Sequence, residues 1–164
     1  MKACVFNIAQ NEYHPNDYDD GNVKQGSTPL ITQKMIDDGL SRRSIKQYAY
    51  IWHDKDVYTK DEEEENPQHV AGQPKARHVQ IVLNCPNKVD TSSVAKWIGI
   101  PENFIGVPKG RGAFLDCVEY LTHESEKEQE AGNIYIMIPK LWLILILELS
   151  LQSSNKEKTS TVTN

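Results

Sequence analysis

The run Lys75-Ala-Arg-His-Val-Gln-Ile-Val-Leu-Asn84 constrains the fold of this chain more than any other stretch. Side chains alternate across a strand, so Val79, Ile81 and Leu83 face one way while His78, Gln80 and Asn84 face the other. The first set calls for a hydrophobic core, and the second presents ligands to whatever lies on the opposite side. Two further polar clusters stand out: Trp52-His53-Asp54-Lys55-Asp56 upstream, and Glu119-Tyr120-Leu121-Thr122-His123-Glu124 downstream. Together they suggest a metal site beside a tyrosine.

The remaining elements follow in order. Residues 2–10 alternate loosely and predict a first strand; residues 11–26, rich in Asn, Asp, Gly and Tyr, predict a loop in which His14 and the neighbouring aspartates are solvated. Thr28-Pro29 predicts a helix start, with Ile31 and Met35 as an apolar pair and Gly39 as the stop. Aromatic and β-branched residues 46–53 predict a second strand. Strict alternation groups His53 with Ile51 and Ala49, which argues against a ligand role for His53 unless the strand end twists. Residues 57–74, with two prolines and the acidic run 61–65, form a long charged excursion. The run is expected to be a solvated loop, the alternative being a flap that repels phosphate.

Asp90 or Thr91 caps a helix carrying Val94, Trp97 and Ile98, which Gly99 ends. Residues 104–107 predict a short strand, and Pro108-Lys-Gly-Arg-Gly112 a basic turn. A last helix begins at Ala113 with Phe114, Leu115, Val118 and Leu121 as its apolar stripe. Tyr120 falls about 150° from the stripe's centre and so is not a core tyrosine; Asp116, His123 and Glu124 share its face. The order predicts an α+β domain with a ferredoxin/RRM-like split βαβ antiparallel sheet and helices on one face, leaving the other for chemistry.

The 164 residues suffice for one substantial domain, placed at 1–132, with a tail at 133–164. The formal charge of −5 owes much to the acidic run, so it does not exclude a nucleic-acid partner. Three cysteines without a C-x-x-C pair, and no signal-peptide pattern, lead to an expectation of a reducing cytoplasm. The apolar burst at 141–147 is shorter than the ~20 residues a membrane span needs, so no membrane partner is expected.

Four segments carry a family resemblance: Ile51-Trp-His-Asp-Lys-Asp56, His78-Val-Gln80, Ile100-Pro-Glu-Asn-Phe104, and Gly112-Ala-Phe-Leu-Asp-Cys-Val-Glu-Tyr-Leu-Thr-His-Glu124. Over about residues 1–132 the chain resembles the initiator (Rep) proteins of rolling-circle plasmids, a branch of the HUH endonucleases. The resemblance implies His53, Asp56, His78 and Gln80 as metal ligands and Tyr120 as nucleophile. It also implies a transesterification on single-stranded origin DNA, at a nick site in a hairpin, through a 5′-phosphotyrosine, with host replication machinery as a further partner. Gln80 departs from the two-histidine version, giving a histidine–glutamine (HUQ) variant. An amide oxygen beside two imidazoles and a carboxylate suits Mn2+ or Mg2+ better than tetrahedral Zn2+. Glu124 or Asp116, each one turn from Tyr120, is a candidate base, and Lys75, Arg77, Lys109 and Arg111 are candidate phosphate contacts.

Relaxases and transposases of the same fold are near alternatives. A non-catalytic RRM-like module stacking bases on Tyr48, Tyr50 and Trp52 is a more distant one. In the tail, Leu-Ile-Leu-Ile-Leu-Glu stands where family members carry a D-F-D-F-R-like stretch, which a frameshift near Asn133 would produce.

Overall fold

The computed structural model of the protein describes residues 1–19 and 22–122. Its centre is an antiparallel sheet built from β1 (Lys2–Asn11), β4 (Gln47–His53), β5 (His78–Asp90) and the two-residue β6 (Ile105–Gly106), in the order β4-β5-β1-β6. A small hairpin, β2 (Tyr18–Asp19) with β3 (Asn22–Val23), lies within the loop after β1. Counting only the strands of the main sheet, the first and third occupy the middle and the second and fourth the edges. This is the split βαβ, ferredoxin-like arrangement expected from the element order.

Register places Ile8 opposite Ile81 and Phe6 opposite Leu83, and Tyr50 and Trp52 opposite Ile81 and Val79. These residues form one face. Against it pack α1 (Gln33–Leu40), through Ile36 and Leu40, and α3 (Thr91–Ile98), through Val94 and Ile98, sealing the main core. The two helices come close because α1 carries Gly39 at their contact. A Cβ there would lie 2.7 Å from both the Ile98 Cδ1 and the Trp97 carbonyl oxygen. Gly39 is thus a packing residue within the helix rather than its stop.

The helix starts at Gln33 rather than after Thr28-Pro29. Leu30 N–H bonds the Glu12 carbonyl at 2.7 Å and Ile31 is fully buried, so this segment is tied to the end of β1. Thr32 then supplies the cap, its hydroxyl accepting from Met35 N–H. α3 behaves as its sequence predicts, starting after Asp90 and ending at Gly99 in the left-handed region, φ 85°. β5 runs on past Asn84 and Pro86 to Asp90, because a register shift opposite Ala3/Val5 accommodates the interruption.

The helices do not all share one face. α4 (Ala113–Leu121) lies against the opposite side of the sheet, where Phe114, Val118 and Leu121 at i, i+4 and i+7 pack on Val82, Val5, Ala49 and Ile51. Leu115, expected in that stripe, is half exposed. Three buried apolar side chains at about 1.5–3 kcal/mol each are enough to fix the orientation of this short helix. Among the described residues no helix is long and apolar enough to cross a membrane. The tail from 133 lies outside the described residues.

Candidate functional site

On the α4 side of the sheet, register brings His53 directly opposite His78 at the ends of β4 and β5. Their rings stack at 5.1 Å between centroids with 17° between planes. Asp56, three residues beyond His53, returns to the pair. Its Oδ2 lies 3.3 Å from His53 Nδ1 and 3.5 Å from His78 Nε2, and all three side chains are nearly buried. The parity that grouped His53 with Ile51 and Ala49 holds, but the inference from it does not. That side of the sheet is the side of His78 and Gln80, and its small core beneath α4 is what Ile51 packs against.

The trio consists of donor types that divalent cations take, two imidazoles and a carboxylate. The Ala76 carbonyl, 3.0 Å from His78 Nδ1, can only accept, so the ring proton sits on Nδ1 and the lone pair on Nε2. Burial is the main reason the His78 pKa falls below its usual 6.5, with the charges of His53 and Lys75 acting in the same direction; the Ala76 bond and Asp56 oppose it. A neutral Nε2 therefore faces a carboxylate oxygen across 3.5 Å, a gap between two electron-pair donors. Two donors sharing an octahedral cation at about 2.1 Å stand about 3 Å apart. Among the described residues no group of three or more His, Cys, Asp or Glu side chains is placed to hold a metal ion. Asp56, shared between both rings, would have to turn to admit an ion.

Beside the trio opens a pocket of about 620 Å³. His78 and Gln80 form part of its floor, together with Asn7, Ala9 and Asn11 of β1. Asp116, Cys117 and Tyr120 of α4 form one wall. Tyr120 is 53% exposed, which agrees with its predicted position off the apolar stripe.

The facing wall was not foreseen. It comes from the excursion 57–74, which is folded: Val57 bridges Pro74, Tyr58 N–H donates to the Gln73 carbonyl while its own carbonyl accepts from Gly72 N–H, and Lys75 N–H reaches the Asp56 carbonyl at 2.7 Å. The acidic run lies wholly within α2 (Lys60–Glu65), capped by a reciprocal Thr59–Glu62 box, so it is a short helix instead of a loop. The Thr59-x-x-Glu62 spacing was the available signal. Tyr58, Glu62 and His69 from this segment, and Lys75 directly after it, line the pocket.

The four candidate phosphate contacts divide. Lys75 is in the pocket wall, its Nζ 2.8 Å from Glu62 Oε1. Arg77 is turned to the other side of the sheet, paired with Glu12 at 2.6 Å and lying 4.3 Å over the Trp52 ring, so it does not join the pocket. Lys109 and Arg111 are exposed on the turn before α4 and are not among the pocket's lining residues. Glu124 and His123 lie outside the described residues. Tyr50 and Trp52, candidates for base stacking, both hydrogen-bond Gln33 of α1 and pack on the main core.

The chain is similar to a protein named "Replication protein" from Onion yellows phytoplasma (strain OY-M), with 34% identity over 102 residues. The match covers 61% of this chain and 26% of that protein, so the chain spans about a quarter of the relative's length. No protein-family model matches the chain, and no solved structure matches it.

Proposed function

We propose that this chain is the nicking and rejoining part of a rolling-circle plasmid replication initiator. It acts on single-stranded origin DNA with Mn2+ or Mg2+, through a 5′-phosphotyrosine, and hands a primer end to the host replication machinery in the cytoplasm. The observation that carries the reading is one pocket with an exposed Tyr120 on its wall and His78 and Gln80 in its floor, backed by Asp56 and His53. The similarity to a protein named for replication supports the general role.

In this reading the Tyr120 oxygen attacks the scissile phosphorus. A bond from tyrosine oxygen to phosphorus forms, the bond to the 3′ oxygen breaks, and the 3′-hydroxyl leaves with a proton; rejoining reverses these steps. A phenol of pKa ~10 needs help to ionise at neutral pH. Asp116 lines the same pocket one turn before Tyr120, and Glu124 follows one turn after it in sequence. Lys75 is placed to receive a phosphate once it leaves Glu62. His53, Asp56, His78 and Gln80 would hold the cation, which when bound polarises the phosphate.

The test is a nicking assay on single-stranded DNA carrying the plasmid's origin, with Mn2+ or with EDTA. Cleavage that requires the metal and disappears in His78→Ala supports the reading. Undiminished cleavage by His78→Ala, or cleavage in EDTA, contradicts it. A binding-only module would retain the DNA without cutting it. Two of the three stacking residues of that alternative, Tyr50 and Trp52, are engaged with Gln33 of α1, which favours the enzymatic reading; Tyr48 is exposed.

A further inference from the structure

The folded segment 57–74 gives the pocket a chemistry that cutting a phosphodiester does not itself require. Tyr58 and His69 lie face to face, 4.2 Å between ring centroids and 15° from parallel. Both line the pocket and both are partly exposed. Lys75 Nζ sits 5.6 Å from the Tyr58 ring centre, so a cation accompanies the aromatic pair. Across from them the floor offers the amides of Asn7, Asn11 and Gln80, groups that can both donate to and accept from a base edge. An aromatic surface, a cation and several amides within one cavity match the three parts of a nucleotide: a flat base, a phosphate and a polar edge.

A second observation concerns the state of His69. Gln68 N–H donates to Asn66 Oδ1 at 3.1 Å, which fixes that amide so that its Nδ2 donates to His69 Nε2 at 3.2 Å. The ring proton is then on Nδ1, and this buried atom has no hydrogen-bond partner. A shielded donor without an acceptor destabilises the arrangement that hides it, so the segment gains when a ligand acceptor reaches the ring.

We propose that the Tyr58–His69 pair seats one unpaired nucleobase of the DNA strand, with Lys75 on an adjoining phosphate. The segment 57–74 then sets which nucleotide lies next to the cut. This rests on the single-strand-nicking reading above. It assigns to the excursion a specificity role separate from the metal trio and Tyr120.

The experiment is binding by fluorescence anisotropy of the full chain in EDTA, where no cleavage intervenes. The probes are a labelled oligothymidylate of about 12 nucleotides and an abasic strand of the same length. Tyr58→Leu should weaken binding of the oligothymidylate about 10-fold, in the range for loss of one stacked base, and leave the abasic strand unchanged. Tyr58→Phe, which keeps the ring, should bind both like the wild type and guards against a folding defect in the leucine variant. If Tyr58→Leu weakens both probes equally, or neither, while the wild type binds the oligothymidylate, the base seat is wrong and the nicking reading stands. If the wild type binds neither strand, the single-strand reading itself fails.

Discussion

Replacing Glu62 by glutamine separates two roles that this side chain combines. Its Oε2 accepts from Thr59 N–H at 2.9 Å and closes the capping box, which an amide oxygen can still do. Its Oε1 holds Lys75 Nζ at 2.8 Å, which depends on the charge. The pair is partly exposed, 19% and 36% for the two side chains, so its loss should destabilise the fold by no more than about 1 kcal/mol. Burial alone would raise the Glu62 pKa, but the Lys75 bond and charge together with the bonds to Thr59 outweigh it and hold the group below its ordinary 4.5. A lowered folded pKa gives stability that is present above the unfolded value and lost as pH falls through the folded one. The deficit of Glu62→Gln should therefore be largest at neutral pH and vanish in acid.

DNA binding should move the other way. A freed Lys75 adds one phosphate contact, which steepens the slope of log affinity against log salt by about 0.7 for a single strand. Between about 50 and about 200 mM NaCl the variant should thus lose about 2.5-fold more affinity than the wild type, starting from tighter binding at low salt. Lys75→Met should leave the slope near the wild-type value, because Glu62 already neutralises Lys75 there, and the double variant should match Lys75→Met. Anisotropy titrations with oligothymidylate at several salt concentrations, alongside urea melts, read both effects. An unchanged slope in Glu62→Gln would refute the idea that Lys75 is a phosphate ligand held in reserve.

Three other outcomes are expected. Gly39→Ala gains about 1 kcal/mol of helix propensity but drives a methyl to 2.7 Å from the Trp97 carbonyl; overpacking of about 1–3 kcal/mol should win, and a urea midpoint that rises would contradict the α1–α3 contact. His78 has a folded pKa below 6.5, so the unfolded ring binds a proton before the folded one and stability should fall on acidification from about pH 7.5. Replacing His78 by Asn should flatten this dependence in urea melts, and an unaltered pH profile would count against a buried neutral ring. The Cys85 thiol is pushed up to about 11, mainly by burial, so at pH 8 roughly one in a thousand is ionised. Iodoacetamide should spare it in the native protein and label it after unfolding, as mass spectrometry of the peptide would show.

Local chemistry made much of this architecture legible. Alternation along β5 separated the main-core face from the face that carries His78 and Gln80. The Asp90 and Gly99 boundaries framed α3, and helical periodicity put Tyr120 outside the apolar stripe. What periodicity cannot report is which side of a sheet later elements cover. Ile51 and Ala49 suggested the main core, yet they lie under α4, on the side of the histidines. Arg77 was misplaced by neglecting the same alternation: as the neighbour of His78 it faces the other way, over Trp52. The pocket wall 57–74 depends on the Val57–Pro74 bridge, the Lys75–Asp56 backbone bond and the Tyr58–His69 stack. These contacts join residues far apart in sequence and leave no repeating pattern to detect.

The central claim is that the Tyr120 hydroxyl attacks DNA. Because Tyr120 is 53% exposed, Tyr120→Phe should leave stability within about 0.5 kcal/mol of the wild type, so a loss of activity would not reflect unfolding. The decisive measurement is mass spectrometry of protease-digested protein after incubation with origin single strands and Mn2+. A nucleotide covalently attached to the peptide bearing Tyr120, and no adduct from Tyr120→Phe, is the predicted result. An adduct on another residue, or one that persists in Tyr120→Phe, would contradict the account.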